Sequence, residues 1–106
     1  MNKTEYLLTT ISEECSEVIK ESSKCLRFGL YKYNPKDRNS KKNVEALIDE
    51  VNDIRARTKI LCEYLHIPYN DDQIENFEFR KNKLAMNMEK SEKLGRLQLV
   101  CSRVRR

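Results

Sequence analysis

Apolar residues recur at intervals of three and four along most of this 106-residue chain, a spacing that favours helices over any other regular structure. Leu7, Leu8, Ile11, Cys15, Val18, Ile19, Cys25 and Leu26 follow the apolar side of one helix, which predicts a first helix from about Thr4 to Phe28. Asn2 followed by Glu5 has the form of a capping pair, and Gly29 is a natural stop. A second stripe, Leu47, Val51, Ile54, Thr58, Leu61 and Leu65, predicts a helix that begins between Ser40 and Val44 and ends near His66, just before Pro68. A third opens at Asn70, with Gln73 at the capping-box position and Asp71 and Asp72 favourably placed at a helix N-terminus. It runs through Ile74, Phe77, Leu84 and Met88 towards Gly95. Two glycines and two prolines are too few turn residues for a sheet. The expected fold is all-α, an antiparallel helical bundle in a single domain over residues 1–106.

Size and charge narrow the function classes. One small core is all that 106 residues supply, so oligomerisation is expected. No apolar run of about 18 residues exists, which argues against a membrane partner. The opening Met1-Asn2-Lys3-Thr4-Glu5 lacks the apolar stretch of a signal peptide, so a cytoplasmic location is expected. Cys15, Cys25, Cys62 and Cys101 lie far apart with no C-x-x-C pair, and are expected to be buried free thiols. The net charge of +4 is uneven: the stretch after Gly95, RLQLVCSRVRR, carries four arginines and no acid. This basic tail, residues 97–106, has the charge to touch a polyanion, though nucleic-acid binding is not expected as the main role. The link over residues 29–42, GLYKYNPKDRNSKK, exceeds the roughly 2–8 residues usual between helices and carries two tyrosines. It reads equally as a binding loop or as a surface insertion.

The chemistry lies in two short patterns, Glu13-Glu14-Cys15-Ser16-Glu17 and Glu50-Val51-Asn52-Asp53. Each holds two carboxylates three residues apart, hence on one side of its helix. Glu14 lies beside Leu7, Val18 and Cys25 at the edge of the apolar face, and Glu50 lies beside Leu47, Ile54 and Leu61 in the same way. Both pairs sit near mid-helix, so antiparallel packing brings them to one level. Converging carboxylates lose hydration and repel one another, and something positive must compensate. Oxygen-only ligands suit magnesium or manganese. His66 falls at a helix end, where interaction with the last carbonyls is its expected role.

With these residues in view, the E-E-x-x-E pattern and the later E-x-x-D resemble the MazG-like all-α nucleotide pyrophosphohydrolases. That superfamily includes dimeric dUTPases, dCTP pyrophosphatases and phosphoribosyl-ATP pyrophosphohydrolase. EYLLTTISEECSEVIKESSKCLRFGL, and the lysine-rich stretch from Arg80 to Leu97, are especially similar to short MazG-like proteins of phages and other viruses. The resemblance implies a Mg²⁺-dependent enzyme, with Mn²⁺ as a substitute, that converts a (d)NTP and water to a (d)NMP and pyrophosphate. It assigns the metal to Glu14, Glu17, Glu50 and Asp53, and gives Glu13 a part in orienting ligands or the attacking water. Lys83 matches a lysine near the substrate phosphates, with Arg80 and Lys81 as further candidates. Phe28, Tyr31 and Tyr33 are candidates for stacking on the base, followed by Phe77, already placed on an apolar stripe, and Phe79. The resemblance also implies a homodimer or dimer of dimers, with a four-helix-bundle-like site completed by oligomerisation. The gap between Glu17 and Glu50 is longer than in many relatives, which leaves base selection open. Outside this class stand a non-enzymatic helical interaction protein and, within the superfamily, a hydrolase of ppGpp or another nucleotide.

Overall fold

Each helix forms where its caps and its apolar stripe allow. The structure, a computed structural model, describes residues 1–33, 41–69 and 76–97, and it is all-helical, with no strand among the described residues. Helix α1 spans Lys3–Phe28, α2 spans Asn43–Leu65 and α3 spans Phe77–Lys93. The chain divides after Asp71 into a unit holding α1 and α2 and a unit holding α3. No helix among the described residues is long and apolar enough to cross a membrane.

The expected caps of α1 are present. Asn2 Oδ1 accepts from the Glu5 N–H at 2.8 Å, and Asn2 Nδ2 donates to Glu5 Oε1 at 2.8 Å. At the other end Gly29 adopts φ +98°, where a side chain would be strained, and its N–H donates to the Cys25 carbonyl at 3.0 Å. The next helix is capped by the chain that has just left this one. The amides of Asn43 and Val44 donate to the carbonyls of Lys32 and Leu30, both at 2.9 Å, and Glu45 Oε1 accepts from the Lys42 N–H at 3.1 Å. Asn43 itself is buried, and its Nδ2 donates to the Gly29 carbonyl at 2.9 Å. A single antiparallel bridge between Tyr33 and Lys42 closes the base of the long link, whose residues 34–40 lie outside the described residues.

The C-termini of α2 and α3 end alike. His66 (φ +58°) donates its N–H to Glu63 and Ile67 donates to Cys62, at 3.3 and 2.8 Å; Gly95 (φ +74°) and Arg96 donate to Glu92 and Ser91, at 2.9 and 2.8 Å. Both are Schellman closures. The interaction expected of His66 with the last carbonyls is thus made by its backbone. The expected α3 start, Asn70 to Gln73, and the stripe residue Ile74 lie outside the described residues, and the expected continuous run from there is corrected at Asn76, which is left-handed (φ +55°), so that the helix begins at Phe77. The expectation of a core-facing stripe on α3 is corrected: no residue of the helix is buried, and Phe77, Leu84 and Met88 are exposed. Its apolar residues fall on two opposite lines, Phe77-Leu84-Met88 and Phe79-Met86, too far apart for one neighbour to cover both.

Helices α1 and α2 pack antiparallel, as contacts spread along the pair show. Lys3 places its ammonium 4.6 Å from the centre of the Tyr64 ring, Arg57 Nη1 donates to the Thr10 carbonyl at 3.1 Å, and Asn43 meets Gly29 at the turn. The resulting core is thin, with Leu7 as its one buried apolar residue among those described. Leu8, Cys15, Ile19 and Leu26 lie roughly 100° round from the α1 contact line, and Ile48, Val51 and Cys62 lie the same way round from that of α2. In an antiparallel pair of right-handed helices, equal offsets of one sense fall on one side. The hairpin therefore has an apolar face, interrupted by Arg55, on which Leu8, Ile19 and Ile48 are 49%, 67% and 52% exposed. Cys15 lies on this face and is exposed, a correction to the expected burial, because it points away from α2; Cys25 and Cys62 are half-buried, and Cys101 lies outside the described residues.

Loss of the Asn43 amide leaves the Gly29 carbonyl without its partner at the clasp. Asn43→Ala is expected to cost about 1–2 kcal/mol, read as a lower midpoint in urea denaturation followed by helical circular dichroism.

Candidate functional site

The antiparallel register set by the clasp and by Arg57 carries mid-α1 past mid-α2, where both acid patterns lie. Glu14, Glu50 and Asp53 each bring a carboxylate oxygen to within 4.8 Å of the others. Glu14 and Glu50 are half-buried and Asp53 is exposed, so the group opens on one side to solvent. Glu17 is not one of this close trio, but its charge acts on Glu50. Glu13 is exposed on α1, further round from the contact line.

The electrostatics follow from this crowding. Glu50 is pushed up to about 7, first by sharing a hydrogen bond with Glu14, then by loss of solvent and by the charges of Glu14, Asp53 and Glu17. On the other side of Glu14 stands Arg57, whose Nη2 lies 3.1 Å from Glu14 Oε1 while Nη1 holds the Thr10 carbonyl. The two oxygens of Glu14 therefore have different fates. One is taken by the guanidinium; Oε2 is buried and has no hydrogen-bond donor once Glu50 has released the proton it shares with Glu14. An oxygen-only donor set with an orphaned buried oxygen fits a hard divalent cation. Ligands about 2.1 Å from such an ion stand up to about 4 Å apart across it, within reach of small side-chain rotations here. No metal is needed to explain Arg57, which neutralises part of the charge by itself.

Beside the trio runs a polar cleft of about 530 Å³, lined by Glu21 of α1, Lys41 of the loop neck, and Asp49, Glu50, Asn52 and Asp53 of α2. Arg57, Glu21, Asp49 and Lys41 were not singled out by the sequence patterns. Glu21 and Arg57 had a readable signal: each continues its helix's acid edge at a spacing of four, Glu21 from Glu17 and Arg57 from Asp53. The other expected site residues lie elsewhere. Phe28 is exposed, with its ring 5.0 Å from the Arg27 guanidinium; Tyr31 and Tyr33 flank the Lys42 ammonium, 6.0 Å from each ring centre. Arg80, Lys81 and Lys83 are exposed on α3, in the second unit.

No protein-family model matches this chain, and no curated protein or solved structure matches it either. Its functional reading accordingly stands on the motif and on the geometry of these helices.

The displaced Glu50 links folding to pH. Between its ordinary value of 4.5 and about 7 the folded chain keeps a proton that the unfolded chain has released. The stability from this group is complete below 4.5 and is lost as the pH rises through 7. Glu50→Gln keeps the neutral form throughout. In thermal denaturation without divalent metal, the variant is expected to melt several degrees above the wild type at pH 8, with the gap closing near pH 5.

Proposed function

We propose that this chain is a Mg²⁺-dependent nucleotide pyrophosphohydrolase acting on (d)NTPs. The observation that carries the reading is the meeting of Glu14, Glu50 and Asp53 from two helices around an orphaned buried carboxylate oxygen. That trio supplies three of the four acids that the MazG-like resemblance assigns to the metal, and Glu17 lies one turn along α1 from Glu14 on the same edge.

In this reading Glu14, Glu50 and Asp53 hold the cation, with Glu17 beside them. A divalent cation bound there supplies positive charge to phosphate oxygens and acidity to a water. The chain's own groups do the rest. Arg57 fixes Glu14 by Oε1 and leaves the buried Oε2 for the cation. Glu50 yields its shared proton on loading, so occupancy rises with pH through the neutral range. Glu13, exposed on α1, is assigned the proton of the attacking water. A bond forms from the water oxygen to the α-phosphorus, the bond from that phosphorus to the bridging oxygen breaks, and pyrophosphate leaves with the electron pair. The expected roles of Lys83, Arg80 and Lys81 in gripping phosphate, and of Phe28 and Tyr31 at the base, belong to this proposal.

Pyrophosphate release from a panel of NTPs, dNTPs and ppGpp, with Mg²⁺, Mn²⁺ or EDTA, tests it. Release is expected with either metal and none with EDTA. Glu14→Gln and Asp53→Asn are each expected to lose more than about 100-fold, since even outer-shell partners of a metal cost 10–100-fold. A folded wild type that releases nothing from any nucleotide sinks the hydrolase and leaves the helical interaction protein.

The apolar face bears on assembly. Carboxylates and cleft lie on one side of the α1–α2 contact line, whereas Leu8, Cys15, Ile19, Ile48 and Val51 lie on the other. We infer that a second copy covers this face, pairing two hairpins into a four-helix arrangement and leaving the cleft open. An exposed apolar strip of this kind is characteristic of an interface. Sedimentation equilibrium is expected to give a dimer or dimer of dimers, and Ile19→Lys with Ile48→Lys is expected to give a monomer. A wild-type monomer at every concentration refutes the pairing.

A further inference from the structure

The cleft beside the trio presents a charge problem for any phosphate ester. Glu21, Asp49, Glu50 and Asp53 line it, and Lys41 carries the one positive charge among its described lining residues. A cation at the trio offsets the acids nearest to it, while the far end of a polyphosphate still needs a partner. Lys41 is built to provide one. It stands at the loop neck, where the Tyr33–Lys42 bridge and the Asn43-to-Lys32 hydrogen bond hold the backbone next to it. Its ammonium pairs with Asp49 Oδ2, one residue before Glu50. Both side chains of this pair are nearly half exposed, 46% and 49%, and ion pairs so exposed contribute little. Leaving Asp49 therefore costs the ammonium little, and its flexible stem gives it reach.

The neighbouring cations are arranged otherwise. Arg57 is fixed twice, by Glu14 Oε1 and by the Thr10 carbonyl, and Lys42 is placed over the rings of Tyr31 and Tyr33. Neither lines the cleft. We propose that Lys41 is a phosphate-binding residue of this site, parked on Asp49 in the free protein and moved onto a terminal phosphate oxygen of a metal-complexed polyphosphate. Asp49 is the docking point that keeps the ammonium at the rim until substrate arrives. This inference rests on the hydrolase reading above and adds to it a substrate-binding residue outside the E-E-x-x-E and E-x-x-D patterns.

The sign of two substitutions tests the exchange. If the pair were merely structural, removing either partner would have the same effect. If Lys41 is parked, Lys41→Gln removes the phosphate partner whereas Asp49→Asn removes the carboxylate that competes with phosphate for it. Binding of inorganic tripolyphosphate in saturating Mg²⁺ is measured by titration calorimetry on the full chain, with circular dichroism verifying the fold of each variant. Lys41→Gln is expected to weaken binding by about tenfold, the scale of one charge-assisted contact. Lys41→Arg retains most of the affinity, and Asp49→Asn tightens it. Titration with Mg²⁺ alone is expected to be unchanged by Lys41→Gln. Affinity that is unaltered in Lys41→Gln, or that falls alike in Lys41→Gln and Asp49→Asn, overturns the role of Lys41 and leaves hydrolysis by the wild type standing. A wild type that binds no tripolyphosphate with Mg²⁺ overturns both.

Discussion

Carboxylates from separate helices do not share a half-buried position unless something holds them there, and in this chain the first holder is a guanidinium. Arg57 reaches across from α2 to the Thr10 carbonyl and to Glu14, so one side chain fixes the helix register and the placement of the leading acid. Arginine suits the task because its planar fork presents several donors in fixed directions, which a lysine cannot reproduce. Arg57 answers only part of the charge. It binds one oxygen of Glu14, and the crowding that remains appears as the proton retained by Glu50. Protonation of Glu50 relieves that repulsion, and the divalent cation proposed above would relieve it by another route. The two routes would compete, which would tie metal loading to pH in the neutral range.

The register has a second anchor at the turn. Gly29 ends α1 in a conformation that turns its carbonyl to Asn43, and the carbonyls of Leu30 and Lys32 satisfy the first amides of α2. The cap of one helix is therefore the exit of the other. The Tyr33–Lys42 bridge joins the two described ends of the long link. The register of Glu50 against Glu14 is held by contacts that lie outside residues 34–40, and so independently of them. Lys41 sits where that independence ends, on the neck and at the cleft.

Much of this was legible in the residues. The limits of α1 and α2 followed from Asn2, Gly29 and the stripes, because local caps and periodicity act within a few residues of where they are written. The meeting of Glu14 with Glu50 and Asp53 was legible too, since edge position and height are properties of single helices. What depended on a second helix was not. Arg57 reads as one more surface base until α1 is laid against it, and Lys41 reads as part of a basic link until the cleft is formed. Burial failed for the same reason. Cys15 and Ile19 belong to the apolar set of α1, but one partner helix covers only a narrow stripe, and both fall outside it. On α3, Phe79 and Met86 lie opposite Phe77, Leu84 and Met88, so the pattern was never one face.

The thin core and the acid site are consequences of one arrangement. A helix pair that spends part of its contact line on Glu14, Glu50 and Arg57 has little left for apolar packing, and Leu7 alone is buried among its apolar residues. Burying carboxylates lowers stability, and so does leaving Leu8, Ile19 and Ile48 in water. The proposed cation on the acid side would remove the first cost, and the proposed second copy on the apolar side would remove the second. The two sides meet along the same contact line, through Val18 and Ile54 beside Glu14 and Glu50. A second copy on the apolar face, as proposed above, would therefore stiffen the backbone that carries the carboxylates, and metal affinity would rise with assembly. Such coupling is reciprocal by linkage, so metal would in turn favour the assembled form.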